Sequence, residues 1–182
     1  MAEAFSNKLT RAAGIVTTSS SGSIGVTTTI ITGISTVGVA VSDLVDNTNF
    51  IAGTKVTGYG DAASQVVVDQ TSTNTATVTG SAIVNFLGMT TAYTSAAATK
   101  SILIGGTFAN NTANSVNLTI EVHDTSAGIQ AALASKIPVP TGSSFVISDA
   151  GKSVLEATDE VRVFCDTANA IDVNLSILTG VS

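Results

Sequence analysis

Between Val116 and Asp124 the chain reads VNLTIEVHD, so that Val116, Leu118, Ile120 and Val122 alternate with Asn117, Thr119, Glu121 and His123. A period of two is the repeat of a β-strand with one buried face, because successive side chains leave opposite sides of a pleated backbone. Ile171, Val173, Leu175 and Ile177 alternate with Asp172, Asn174 and Ser176 in the same way, and Val161, Val163 and Cys165 alternate around Arg162. Parallel strands are covered on both faces and run continuously apolar, so three alternating runs predict a half-buried antiparallel sheet. The residue types agree. Thr, Val and Ile are abundant, and their branched side chains suit a pleated surface better than a helix.

Upstream, residues 24–87 read as short strands at 27–31, 37–41, 55–59, 65–68, 75–78 and 82–87, separated by Gly, Asp, Asn or Ser. That spacing is typical of a small barrel or sandwich. Asp46-Asn47 and Asn74 are turn formers whose side chains bond to nearby backbone, and Gly53, Gly58 and Gly60 tolerate positive φ. Gly88-Met89-Thr90-Thr91-Ala92 marks the boundary with the second half. Ala127 to Lys136 (AGIQAALASK) holds good helix formers, but Ile129, Ala131 and Leu133 alternate among strand neighbours, and the stretch reads as strand. Pro138 and Pro140 mark an edge or a bend.

The start, MAEAFSNKLTRAAGIV, carries Lys8 and Arg11 without the apolar stretch of a signal peptide, and reads as a mature N-terminus. Phe5, Leu9 and Ile15 there belong to a frayed tail or to a short arm docking on a neighbouring subunit. The expected organisation is all-β: two small antiparallel sandwich or barrel modules in tandem, at 24–88 and 89–182, behind an N-terminal arm at 1–23. A chain of 182 residues is long enough to bury about 70% of its unfolded surface without staples.

The net charge of −6, with a pI near 4.4, opposes binding to a phosphate backbone. Aromatics at 4%, with no Trp, leave few platforms on which single strands or sugars could stack. No segment has the roughly 18 consecutive apolar residues of a membrane span. Cys165 is the one cysteine, so it has no internal disulfide partner.

Catalytic and metal readings find little support. Leu118, Ile120 and Val122 set the phase of their strand, so Glu121 and His123 point together away from the apolar side, onto a solvated or subunit-facing surface, and Asp124 begins a turn. A zinc site wants three or four ligands, and His123 is the only histidine. Ala150-Gly151-Lys152-Ser153 matches the end of a phosphate loop, but Val146 stands where its first Gly belongs. No G-x-S-x-G elbow occurs. Glu156, Asp159, Glu160, Asp166 and Asp172 lack the spacing of a calcium loop and read as turn residues. The sequons at Asn110, Asn117 and Asn174 matter only in a secreted eukaryotic protein. No catalytic residue, cofactor, metal or small-molecule substrate is expected.

An apolar excess remains, with a mean hydropathy of +0.45. Phe164 falls opposite Val163 and Cys165, and Leu178 opposite Ile177, so some outward positions are apolar. Exposed apolar patches mark interfaces. Phe5, Leu9, Phe164 and Leu178 are therefore the expected contact residues of a protein that packs against copies of itself or a neighbouring subunit.

Two stretches carry a resemblance. Residues 31–69, ITGISTVGVAVSDLVDNTNFIAGTKVTGYGDAASQVVVD, look like a β-module recurrent in tailed-phage tail and fibre proteins, with Gly33, Ser35, Val45, Ala52, Gly53, Thr54 and Val56 filling its pattern. Residues 136–181, KIPVPTGSSFVISDAGKSVLEATDEVRVFCDTANAIDVNLSILTGV, look like the last strands of small β-sandwich virion proteins, through Pro140, Gly142, Ser143, Ser144, Leu155, Glu156, Asp159 and Asp172. With the opening MAEAFSNKL, the chain resembles virion structural proteins of T4-like marine cyanophages over most of its length. The resemblance implies a non-enzymatic, multi-copy part of a tailed-phage particle, made in the host cytoplasm and partnered by itself and other virion proteins. It leaves open the head-tail neck or tail, which leads, and a capsid decoration role; a host-receptor or glycan-binding module ranks below both.

Overall fold

The structure is a computed structural model that describes residues 3–148 and 152–181. The described residues form antiparallel β-sheets with no helix and no closed barrel, so the all-β expectation holds. The chain divides into two compact units. One contains Met1–Gly14 and Thr90–Ser182, the other Ile15–Met89.

The N-terminal segment is where the structure departs most from the sequence reading. The described part of the expected arm at 1–23 is two strands instead: β1 (Ala4–Ala13) pairs with the C-terminal strand of the larger unit, and β2 (Ile15–Ile24) belongs to the smaller unit. The smaller unit is thus an insertion between β1 and the rest of the larger one, not a tandem module beginning at residue 24. Neither strand shows an apolar period of two. In β1 the face opposite Phe5 and Leu9 carries Ser6, Lys8 and Thr10, and β2 is largely hydroxyl residues. Both hold their place mainly through backbone ladders, with Ala13 and Ile24 at their ends the apolar side chains they bury in a core.

In the smaller unit β2 lies inside a six-stranded sheet with β3 (Ile30–Thr32), β4 (Leu44–Asp46), β5 (Val56–Tyr59), β6 (Gln65–Val68) and β7 (Val78–Gly88), in the order β4-β7-β2-β3-β6-β5. Ile24, Ile31, Val45, Phe50, Val66, Val84 and Phe86 form its core. The expected strand at 37–41 is a run of turns. The Asp43 carboxylate fixes it by accepting from the Ala40 N–H at 3.0 Å and the Thr17 hydroxyl at 2.9 Å. The expected strand at 82–87 lies within β7, whereas of the expected strand at 75–78 only Val78 is strand, and Gly80 takes a φ of +64° where the register between β7 and β2 shifts.

The larger unit is a sandwich. One sheet orders β1, β15 (Ile171–Val181), β9 (Lys100–Asn110) and β12 (Ser144–Ile147), with β13 (Ser153–Leu155) also on β9. The other orders β11 (Ile129–Val139), β10 (Val116–Asp124), β14 (Glu160–Cys165) and β8 (Thr90–Thr94). Of the 127–136 stretch, residues 129–136 are strand, as read, while Ala127 and Gly128 lie in the turn before it, and Pro138 lies on β11, an edge strand, where proline is tolerated. Leu103, Phe108, Val173, Leu175 and Ile177 from the first sheet meet Leu118, Ile120, Val161, Val163 and Cys165 from the second in one core. Phe108 and Phe145 are tilted rings 6.4 Å apart. Gly14 closes one end of this unit with a φ of +111°. A Cβ there would stand 2.7 Å from the Thr167 carbonyl oxygen, and its own carbonyl accepts from the Asn169 N–H at 2.9 Å.

The phase of β15 generates a paired prediction. Val173→Asp places a carboxylate without a partner in the core and costs about 3 kcal/mol or more. Asn174→Asp, one residue along on the exposed face, changes stability by under about 0.5 kcal/mol. Urea unfolding of the two variants checks the ranking, and equal losses would contradict the strand phase.

Candidate interaction surface

The outer face of the β1-β15-β9-β12 sheet gathers most of the exposed large apolar side chains of the larger unit, Ile129 of β11 lying on the other sheet. Residues directly opposite in an antiparallel pair project to the same side of the sheet, so rows can be read from register. Phe5 pairs with Leu178, Leu178 with Ile102, and Ile102 with Val154. This row crosses four strands. Phe5 is 63% exposed and Val154 59%, while Leu178 and Ile102 between them are half-buried by their neighbours. A second row runs from Leu9, 74% exposed, through Asn174 and Thr107 to Val146. Beside it an open groove of about 330 Å³ is lined by Leu9, Arg11, Thr107, Asp172 and Asn174. Asp172 is held at its rim by accepting from the Ala12 N–H at 2.9 Å.

Of the four contact residues expected from sequence, Phe5, Leu9 and Leu178 fall on this face. Phe164 does not: it is 1% exposed. The cause is that β10 and β14 are the central strands of their sheet and are buried on both faces, with Thr119, Glu121, Arg162 and Phe164 making up the second buried side. Polar residues there imitate a solvated face in the sequence. Ile102, Val154 and Val146 were missed for a related reason. The run Ile102-Leu103-Ile104 is continuously apolar because the register shifts in β9 opposite Ser176 and Ile177, which leaves no alternation to read.

Of the Glu121/His123/Asp124 group, Glu121 and His123 share one face of β10 and Asp124 leaves it for the turn. Glu121, expected on the wet side of its strand, is 4% exposed and sits across from Arg162 in the ladder. Arg162 Nε donates to Glu160 Oε2 at 2.7 Å, and His123 stands opposite Glu160. The buried guanidinium is tolerable on this face because it is paired and hydrogen-bonded to that carboxylate. Asp124 makes the turn: its carboxylate accepts from the Ala127 N–H at 2.9 Å and the Ser126 hydroxyl at 2.7 Å, and these bonds hold its pKa below the usual 3.8.

Other acidic residues are engaged with backbone. Asp159 is buried and accepts from the N–H groups of Glu156 at 2.9 Å and Thr125 at 3.1 Å. Asp166 accepts from both the N–H and the side-chain amide of Asn117. Burial pushes the Cys165 thiol up to about 11, far from the thiolate a nucleophile or metal ligand needs. Among the described residues no group of three or more His, Cys, Asp or Glu is placed to hold a metal ion. Ala150 and Gly151 of the phosphate-loop match lie outside the described residues, and Ser153 opens β13 opposite Leu103.

Two measurements follow from these contacts. Arg162→Met leaves the largely buried Glu160 carboxylate without the guanidinium that donates to it and costs about 3 kcal/mol, whereas Glu160→Leu with Arg162→Met recovers most of that loss; urea unfolding reads both. A carboxylate with a depressed folded pKa contributes stability that is present above its unfolded pKa and is lost as pH falls through the folded value. Asp124→Ala therefore lowers the melting temperature at neutral pH, and the gap to wild type closes below about pH 4. A gap that widens in acid would reverse the sign. Comparison of the chain with protein-family models, curated proteins and solved structures finds no match.

Proposed function

We propose that this chain is a non-enzymatic, multi-copy structural component of a tailed-phage virion, placed at the head-tail neck or tail and acting through subunit packing. The observation that carries the reading is the Phe5, Leu178, Ile102 and Val154 row, an apolar stripe crossing a whole sheet on its open side. Contiguous exposed apolar surface is what a protein-protein contact buries. The resemblance of residues 31–69 and 136–181 to tail, fibre and small virion β-modules supplies the setting. The engagement of Asp43, Asp159 and Asp166 with backbone N–H groups also supports it, since residues that acid-base or metal chemistry would recruit are spent on holding turns.

Quantitative mass spectrometry of gradient-purified virions whose genome encodes the chain tests the reading. The expected result is the chain among the particle proteins, at the copy number of a neck or tail ring. A copy number that follows the capsomers would place it on the head as a decoration protein, overturning the location while keeping the structural role. Absence from virions, with the chain abundant in the infected lysate, would sink the proposal.

A further inference from the structure

Strand β1 is the terminal strand of its sheet, and on the side away from β15 no strand is paired with it among the described residues. It runs in unbroken register from Ala4 to Thr10 against Thr179 to Val173, and irregularity begins only beyond Thr10, where the Thr10 hydroxyl donates to the Ala92 carbonyl of β8. An extended edge with no proline and no bulge over this length is a template for a further strand. The residues themselves say which strand fits.

We propose that β1 pairs antiparallel with β1 of a second copy, about a two-fold axis through Asn7, joining the two outer sheets into one. The inference deepens the multi-copy reading and rests on it for its setting. A two-fold axis normal to the sheet keeps outer face with outer face, so opposed residues must share the same parity along the strand. With Asn7 opposite Asn7, Phe5 meets Leu9 and Glu3 meets Arg11, all exposed on a single copy. Apolar meets apolar and acid meets base, each twice by symmetry. On the other face Lys8 meets Ser6. The neighbouring registers are worse: centring on Lys8 sets that ammonium against itself, and centring on Ser6 sets Leu9 against Glu3 and Phe5 against Asn7. Like charges directly across a ladder repel, and an unmatched pair forfeits the cross-strand contact.

The same register makes the two outer-face rows continuous. Val154, Ile102, Leu178 and Phe5 of one copy run on into Leu9 of the other, where the second row of that copy begins. The apolar stripe of each copy is thereby lengthened by Leu9 of the other, whose row then continues through the polar Asn174 and Thr107.

Light scattering across a dilution series and oxidative cross-linking, on the full chain, test the pairing. Asn7→Cys brings two thiols to directly opposed positions, whose Cα separation of about 4.5–5.5 Å lies within disulfide range. Cys165 is buried, so the cross-link reports on position 7. Asn7→Cys is expected to form a covalent dimer under mild oxidation. Phe5→Cys is not, because its own copy lies four residues away along the ladder, roughly 13 Å. Glu3→Arg or Arg11→Glu alone is expected to raise the dimer dissociation constant about ten-fold, and the two together to restore it. Both residues are exposed, so the fold stays intact, as an unchanged far-ultraviolet spectrum and melting curve would verify. A monomer at every concentration overturns the pairing, as does a dimer indifferent to both charge reversals that fails to cross-link through position 7. Such a dimer, still present in virions, would leave the structural role standing, whereas a β1 dimer absent from virions would remove that role and keep the pairing.

Discussion

The ladder between β9 and β15 is the constraint on which the larger unit depends. It pairs Lys100 through Asn110 with Val181 through Ile171, and every other strand of its sheet attaches to one of the two. Because side chains alternate, this ladder directs Ile171, Val173, Leu175 and Ile177 inward and Asp172, Asn174 and Leu178 outward. A slip of one residue would exchange the two sets and turn the core into solvent. The irregularity opposite Ser176 and Ile177 takes up the extra residue in β9 without disturbing that exchange, so the core face remains intact on both sides of it.

That ladder also explains why the chain's first strand folds at all. β1 has too little apolar surface on its inner side to hold a position by burial, and it is fixed by hydrogen bonding along β15. Its own apolar residues are left outside. A strand held by backbone pairing while exposing Phe5 and Leu9 is poorly explained by stability within one chain, and the proposed pairing with a second copy is what would bury them.

Charge is handled sparingly throughout. With 11% charged residues, few ionic groups are available, and several of those buried are matched to a specific partner: Asp43 and Asp159 to backbone N–H groups, Arg162 to the Glu160 carboxylate. A buried carboxylate that accepts two or more N–H or hydroxyl bonds replaces the water it gives up, and so fixes a turn where a hydrophobic side chain could not. The acidic residues that look in sequence like a scattered candidate site are thereby distributed over separate turns and ladders.

Periodicity in the amino-acid sequence determined that β10, β14 and β15 are strands, which of their faces is apolar, and that Cys165 points into a core. These are local properties, set by neighbours two residues apart. It did not determine that β1 and β2 are strands, since edge and hydroxyl-rich strands are held by ladder bonds that carry no side-chain signature. Nor did it determine whether an outward face is open. Phe164 and Leu178 are both outward by phase, yet the first is enclosed and the second belongs to an open stripe, because coverage depends on what lies across the sheet and periodicity records only which way a side chain turns.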